Sequence, residues 1–412
     1  MSSGTQIAVK IKVSEITPRI QYVCDFIFLD RKIPFKLTTA DEAVSFDYSR
    51  EKASTLLYTD QILQNTPAFH RELQVFEFDG MIDYFASIFY VLTRMEEYGV
   101  NERDHHGRFS AKQSAQMKYG LLDKVICDRW AVQILKSIPE ISIPDPDFSL
   151  EPTFDIDNTF AYKYKVGVRR KLSILRDRIQ GNKIRLQERR DVDNGGRDPY
   201  DTFDLIRAIA QQHSGARVFW LVESKGKFDR NLDVHHPVHQ QLIRELREIC
   251  EIGIHPSYGS FCNVQAVAAE KEILEKICGS VNRSRQHFLR LNLPDSYRTL
   301  IAAGIEHDYT MGFADQIGFR AGTARSFPWF DLESNEVTRL IIHPFAYMDG
   351  TLNEYLHLSP EKAKDRIKNL FLEVKSYGGV FGFVWHNETI GEYKHWKGWK
   401  SVLDYTLSLK HE

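Results

Sequence analysis

The chain has 412 residues, and its most chemically suggestive stretch is Thr153-Phe-Asp-Ile-Asp157, an apolar run that delivers two carboxylates one residue apart. Side chains alternate along a strand, so Asp155 and Asp157 are expected on the same side. Two carboxylates held together are costly to bury unless something cationic compensates them. Such a pair can divide its work, one carboxylate binding a metal ion and the other staying free as a base. Alone, the pair is better read as two solvated aspartates near a loop. Two further segments tip the balance. Glu251-Ile-Gly-Ile-His-Pro-Ser-Tyr258 runs a strand into a turn with His255 at its tip, and Gly382-Phe-Val-Trp-His-Asn387 is an apolar strand ending in His386. Two aspartates and two histidines, each closing a strand, are expected to converge.

The elements that must position them follow from patterning. From Pro152 the chain repeats strand, loop and helix. Strands are predicted at Thr153–Asp157, Arg217–Val222, Glu251–His255, Gln286–Leu291, Tyr309–Phe313, Leu340–Ile342 and Val380–Trp385. Helices are predicted at Val238–Cys250, Val264–Ile277, Ser296–Ala303 and Pro360–Tyr377. About seven β/α units imply a parallel sheet closed as a barrel, with its chemistry at the carboxyl ends of the strands. The preceding residues read differently. Period-two strands at Ile7–Val13, Tyr22–Leu29, Phe35–Thr39 and Gln74–Phe78 precede helices at Met81–Tyr98, Ala111–Tyr119 and Cys127–Ser137, which suggests a small α+β domain. The proline-rich segment Pro139–Pro146 marks the boundary, giving domains 1–148 and 149–412.

Composition narrows the function classes. An apolar share of 42% and a charged share of 27% are those of a soluble globular protein. The net charge of −2 exerts no long-range pull on nucleic acid or anionic membrane. Lys163–Arg190 departs from this balance, with eleven Lys/Arg against two Asp/Glu. It reads as a solvated helical hairpin inserted after the first strand, or as a basic wall that attracts an anionic glycan or a phosphate-bearing lipid carrier. A third reading makes it a nucleic-acid or phospholipid-surface binding element, which the near-neutral total disfavours. Five cysteines without a CxxC pair suggest neither disulfides nor a thiolate zinc site, so a reducing compartment is expected. The start MSSGTQIAVKIKV has no secretory pattern, and no apolar run approaches the ~18–20 residues needed to span a bilayer. A cytoplasmic protein without an integral membrane segment is expected.

The three site motifs together resemble those of the polysaccharide deacetylase family (NodB-like, carbohydrate esterase family four), over roughly residues 150–412. The resemblance implies a NodB-like distorted (β/α)7 barrel behind the α+β domain. It also implies a hydrolase that removes N-acetyl or O-acetyl groups from a carbohydrate or glycan precursor. By resemblance Asp155 is the general base, Asp157 and His255 are metal ligands, and His386 is the general acid. Arg290, in Phe288-Leu-Arg290, loosely matches the arginine that orients the base. The implied cofactor is a divalent metal, with N and O donors suiting zinc, and cobalt, nickel or manganese as alternatives. The sequence departs from the pattern at Gly259, where a second ligand histidine is expected. His287 on the next strand is the favoured substitute, with His235, His236 and His239 as rivals. Tyr258, Arg320 in the glycine-flanked loop Gly318–Thr323, and Trp385 are candidate substrate contacts, though a buried structural arginine fits Arg320 equally. His105 and His106 are expected to be solvated. Because of Gly259, a catalytically degenerate carbohydrate-binding barrel stands as the alternative.

Overall fold

The computed structural model describes residues 8–100, 102–139 and 141–411, so Ile7 and Glu140 of the segments above lie outside the described residues. Thr153-Phe-Asp-Ile156 ends β1 (Phe148–Ile156), which lies inside a nine-stranded sheet. The other strands are β2 (Arg217–Trp220), β3 (Glu251–Ile254), β4 (Arg283–Ser284), β5 (His307–Asp308), β6 (Phe327–Asp331), β7 (Glu336–Ile342), β8 (Tyr347–Met348) and β9 (Gly379–His386). Their order is β6-β7-β5-β4-β3-β2-β1-β9-β8, and every pairing is parallel except β6–β7. The register sets His386 of β9 directly beside Asp155 of β1. The ladder ends at β6 and β8, so the expected closed barrel is not formed by strand pairing among the described residues. Loops bridge part of the gap, with Gly318 N donating to Ala346 O at 2.7 Å.

Parallel strands need crossovers, and helices supply most of them. Pro237–Arg247, Val264–Cys278, Asp295–Ala302 and Pro360–Tyr377 lie where apolar periodicity puts them. Asn263 and Ser359 cap two of these by accepting from Ala266 N and Lys362 N. Residues 163–190 contain the expected hairpin, with helices Gly167–Ile179 and Lys183–Asp193.

Three predicted strands are corrected. Tyr22–Leu29 belongs to the helix Pro18–Phe28, which starts with Thr17 accepting from Ile20 N and proline in its first turn. Ile20, Tyr22, Val23, Cys24, Phe26, Ile27 and Phe28 are all buried, so the helix has too little polar face for its period to be read. Gln286–Leu291 is not a strand, because β4 stops at Ser284 and the chain turns through Phe288 (φ 61°) and Leu289 (φ 53°). Tyr309–Phe313 is a loop after β5. There Asp308 accepts from both the backbone N and the hydroxyl of Thr310, which takes the backbone out of the ladder.

Residues 9–139 form a parallel three-stranded sheet around Val9–Lys12, an antiparallel sheet around Val75–Phe78, and the helices Tyr84–Leu92 and Ile126–Lys136. Residues 141–147 form neither helix nor strand. One apolar cluster nevertheless runs from Val9 through the sheet to Leu409. The glycines of Gly318–Thr323 serve this contact. A Cβ on Gly318 (φ 124°) would stand 2.2 Å from Leu122 O, and one on Gly322 (φ 67°) 2.9 Å from Cys127 Sγ. The close approach expected toward a ligand is made to residues 122–127 instead.

Arg320 is likewise structural. It is buried and pairs with Glu97, which also accepts from Arg94 Nε at 2.7 Å. Burial raises the Glu97 carboxyl, but Arg320 and Arg94 outweigh it and hold it at about 2. Removing one member of a buried ion network strands the others in a poorly solvating interior. Glu97→Gln should therefore destabilise the fold by roughly 3–5 kcal/mol in urea denaturation. A loss under about 1 kcal/mol would place Arg320 outside the set of structural ion pairs.

Candidate active site

Asp155, Asp157, His255, His287 and His386 line one cavity of about 370 Å3 at the carboxyl ends of the strands. That volume lies toward the small end of the roughly 300–1,000 Å3 of ligand sites. Each side chain arrives by a different route. Asp155 is in β1 and Asp157 follows it directly, while His386 ends β9. His255 follows β3 and is fixed by its backbone N donating to Trp220 O at 3.0 Å. His287 sits in the turn after β4, pinned by its N donating to Pro256 O and by the Gln286 amide donating to Pro256 O and Ser257 O.

Three of these groups form a compact donor set. His255 Nε2 lies 3.2 Å from Asp157 Oδ1, and His287 Nε2 lies 3.3 Å from Asp157 Oδ2. One ligand atom from each of Asp157, His255 and His287 can be chosen so that all three lie within 4.8 Å of one another. Asp157 Oδ1 is buried and makes no hydrogen bond of good geometry, although His255 Nε2 lies 3.2 Å away. A buried acceptor left open beside two imidazoles suits a divalent cation, and one carboxylate with two histidines is a common zinc donor set. Gly259 is exposed, with no group other than Ser257 close to its Cβ position. The rival histidines are elsewhere. His236 caps the helix Pro237–Arg247, His239 accepts from Trp220 Nε1, and His235 is exposed.

Asp155 is held differently. Arg285 donates to its Oδ1 at 2.7 Å and to Thr153 Oγ1 at 2.8 Å. Its Oδ2 faces the cavity, 4.0 Å from both His255 Nε2 and His386 Nε2. Arg285 thus occupies the place expected of Arg290. Arg290 instead packs between the rings of Tyr258 and Phe261 and donates to His106 O and Tyr258 O. Its own turn carries it past the strand ends.

Outer partners orient the rings. Asp229 accepts from His287 Nδ1 at 2.8 Å, and Asp349 accepts from His386 Nδ1 at 2.8 Å and from His386 N at 2.9 Å. Burial lowers both histidines, but the aspartates outweigh it, raising His287 to about 9 and His386 well above 6.5. Asp157 moves the other way. Burial raises it, but His287 and His255 take it well below 3.8. Glu388, also in the cavity wall, is raised to about 7 by burial and then by Asp157. Asp349 follows β8 as the other site residues follow their strands, and that rule points to it in the sequence. Arg285 stands in the same phrase as Arg290, one residue past β4. Asp229 lies in an irregular loop with no sequence signal.

The expected substrate contacts are not at the cavity wall. Trp385 is fully buried and donates toward Tyr347, Arg320 is in its ion network, and Tyr258 lies behind His287 with its hydroxyl 3.3 Å from His106 Nδ1. The wall is made instead by Tyr200, Tyr355, Tyr393, Trp396, Lys394 and Arg108. His106 is buried against Phe288 rather than solvated. Its neighbour Arg108 donates to Phe288 O and Tyr355 Oη, bracing the turn that carries His287.

A metal ion held by His287 would compete with protons for its ring. Without metal, its ion pairs stabilise the fold fully below the ordinary histidine pKa of 6.5 and fade as pH rises through about 9. A metal requires the neutral ring, so zinc affinity should rise about tenfold per pH unit from 7 to 9 and then level off. Calorimetric titration in several buffers checks this, and His287→Ala should abolish the proton release while His235→Ala leaves it intact. A pH-independent affinity would remove His287 from the ligand set.

Residues 9–142 match a family model described as "Family of unknown function (DUF7033)". No curated protein matches the sequence. Among solved structures, the chain is similar to a "putative polysaccharide deacetylase" from Mycobacterium smegmatis, at TM-score 0.43 and 15% identity over 66% of this chain and 86% of that one. It is also similar to a "putative polysaccharide deacetylase involved in o-antigen biosynthesis" from Bordetella bronchiseptica, at TM-score 0.32 and 11% identity over 63% and 90%. A likeness of this order assigns no chemistry to the chain, which rests on the site's own geometry.

Proposed function

We propose that this protein is a metal-dependent hydrolase that removes N-acetyl or O-acetyl groups from a carbohydrate or glycan precursor. The observation that carries the reading is the split between the two carboxylates. Asp157 faces two imidazoles and has an open, buried oxygen, whereas Asp155 is fixed by Arg285 with its second oxygen toward the cavity. Asp157, His255 and His287 would hold the ion, zinc by donor type. Bound there, it supplies Lewis acidity and a water of lowered pKa.

The remaining work falls to the chain. Asp155 Oδ2 takes the proton of the attacking water as its oxygen bonds to the acetyl carbon. Arg285 keeps the carboxylate from rotating and its charge compensated. His386, held by Asp349, which raises its pKa against the effect of burial, gives its Nε2 proton to the departing amine or alkoxide as the C–N or C–O bond breaks. The products are acetate and the free amine or alcohol. Tyr200, Tyr355, Tyr393 and Trp396 offer amphipathic faces suited to sugar rings. The degenerate binding module drew its support from Gly259, and His287 supplies a third donor without that position.

Acetate release from N-acetylglucosamine oligomers and O-acetylated glycans, read with zinc content per chain, tests the division. Asp155→Asn should cut turnover by about 10²–10⁴-fold while retaining zinc, whereas Asp157→Asn should lose both. Equal zinc loss in the two variants would contradict the assigned roles.

A further inference from the structure

The hairpin of residues 163–190 is inside out. Its first helix, Gly167–Ile179, turns a polar face to its partner. Asp177 is buried there, with Arg185 Nε and Arg189 Nη2 each 3.2 Å away, and Arg170 pairs with Asp193 across the two helices. The apolar face points to solvent. Val168, Leu172, Leu175 and Ile179 follow one another at spacings of four, three and four, within about 60° of arc. The four highest exposures among large apolar side chains of the described residues all fall in this region: Val166 77%, Ile179 77%, Val168 72% and Ile184 70%. Exposed Lys171 and Arg178 flank the stripe on one side and Arg176 on the other, with exposed Lys183 and Arg190 on the second helix.

An unpaired apolar stripe normally marks an interface, and here its flanks choose the occupant. Apolar side chains bordered by lysine and arginine suit the boundary between acyl chains and anionic headgroups. A protein groove would need acidic walls on both sides of one protruding helix. No helix among the described residues is long and apolar enough to cross a membrane, so the contact would lie in the interface. We infer that this hairpin docks the protein onto an anionic phospholipid surface. The docking would orient the cavity. Glu188 on the second helix accepts from Tyr162 Oη at 2.8 Å and from Tyr393 Oη at 2.9 Å, and Tyr393 is part of the cavity wall. The inference stands on the hairpin alone and survives if the hydrolase reading fails.

Flotation of the full chain with vesicles tests it. The wild type should float with phosphatidylcholine vesicles containing about 30% phosphatidylglycerol, stay behind with phosphatidylcholine alone, and be released by raised salt. The triple variant Lys171→Glu, Arg176→Glu, Arg178→Glu should lower partitioning on the order of 100-fold or more, from about fivefold per basic residue near the surface. Leu172→Gln, Leu175→Gln, Ile179→Gln should abolish stable binding with its thermal midpoint intact, since these side chains are exposed. Failure to float, equal binding to neutral vesicles, or insensitivity to salt and to both variants would overturn the inference. So would a wild-type oligomer that falls apart in the glutamine variant without any vesicle binding, because the stripe would then be a self-association face.

Discussion

Two carboxylates close together, Asp155 buried and Asp157 half-buried, repel each other and lose hydration, so the end of β1 is tenable only if each is compensated. The protein solves this in two ways within three residues. Asp155 receives a permanent countercharge from Arg285, which fixes its rotamer and leaves one oxygen free. Asp157 receives titratable partners, the rings of His255 and His287, and keeps an oxygen without a hydrogen bond. A guanidinium cannot give way to a metal ion at neutral pH, whereas an imidazolium can. The proposed assignment of base and ligand follows from that difference in partners.

The rest of the sheet serves this corner. Parallel β9 sets His386 in register with Asp155, and Asp349 at the end of β8 turns the His386 ring. His287 depends on residues from three parts of the chain: Asp229 on its far nitrogen, Pro256 under its backbone, and Arg108 on the carbonyl of Phe288. Arg108 comes from the segment before the sheet, which gives that segment a part in shaping the site. Residues 318–322 continue the same contact from the other side, where two glycines let the chain pass against residues 122–127.

Much of this was legible in the residues. Strands that end in Asp or His are recognisable because apolar runs closed by a polar group are unusual, and Asp155, Asp157, His255 and His386 were found that way. The helices Pro360–Tyr377 and Val264–Cys278 were readable because one face of each is solvated and their period survives. The helix Pro18–Phe28 was not, because packing on nearly all sides erases its period and leaves a run that looks like a strand. Arg285 and Arg290 could not be told apart without knowing that β4 stops at Ser284, a point set by side-chain bonds from Gln286 to residues about thirty positions earlier. Trp385 was misjudged for a related reason. Adjacency to a site residue in sequence puts a strand side chain on the opposite face, and Trp385 is accordingly in the core.

We propose that Asp157, His255 and His287 form one metal site. X-ray absorption at the zinc edge of the zinc-loaded full chain reads the donor set itself. The expected spectrum has two imidazole nitrogens and a carboxylate oxygen at about 2.0–2.2 Å, with a further light-atom position for water. Sulfur among the nearest donors, a single imidazole, or a purely oxygen environment would rule this donor set out.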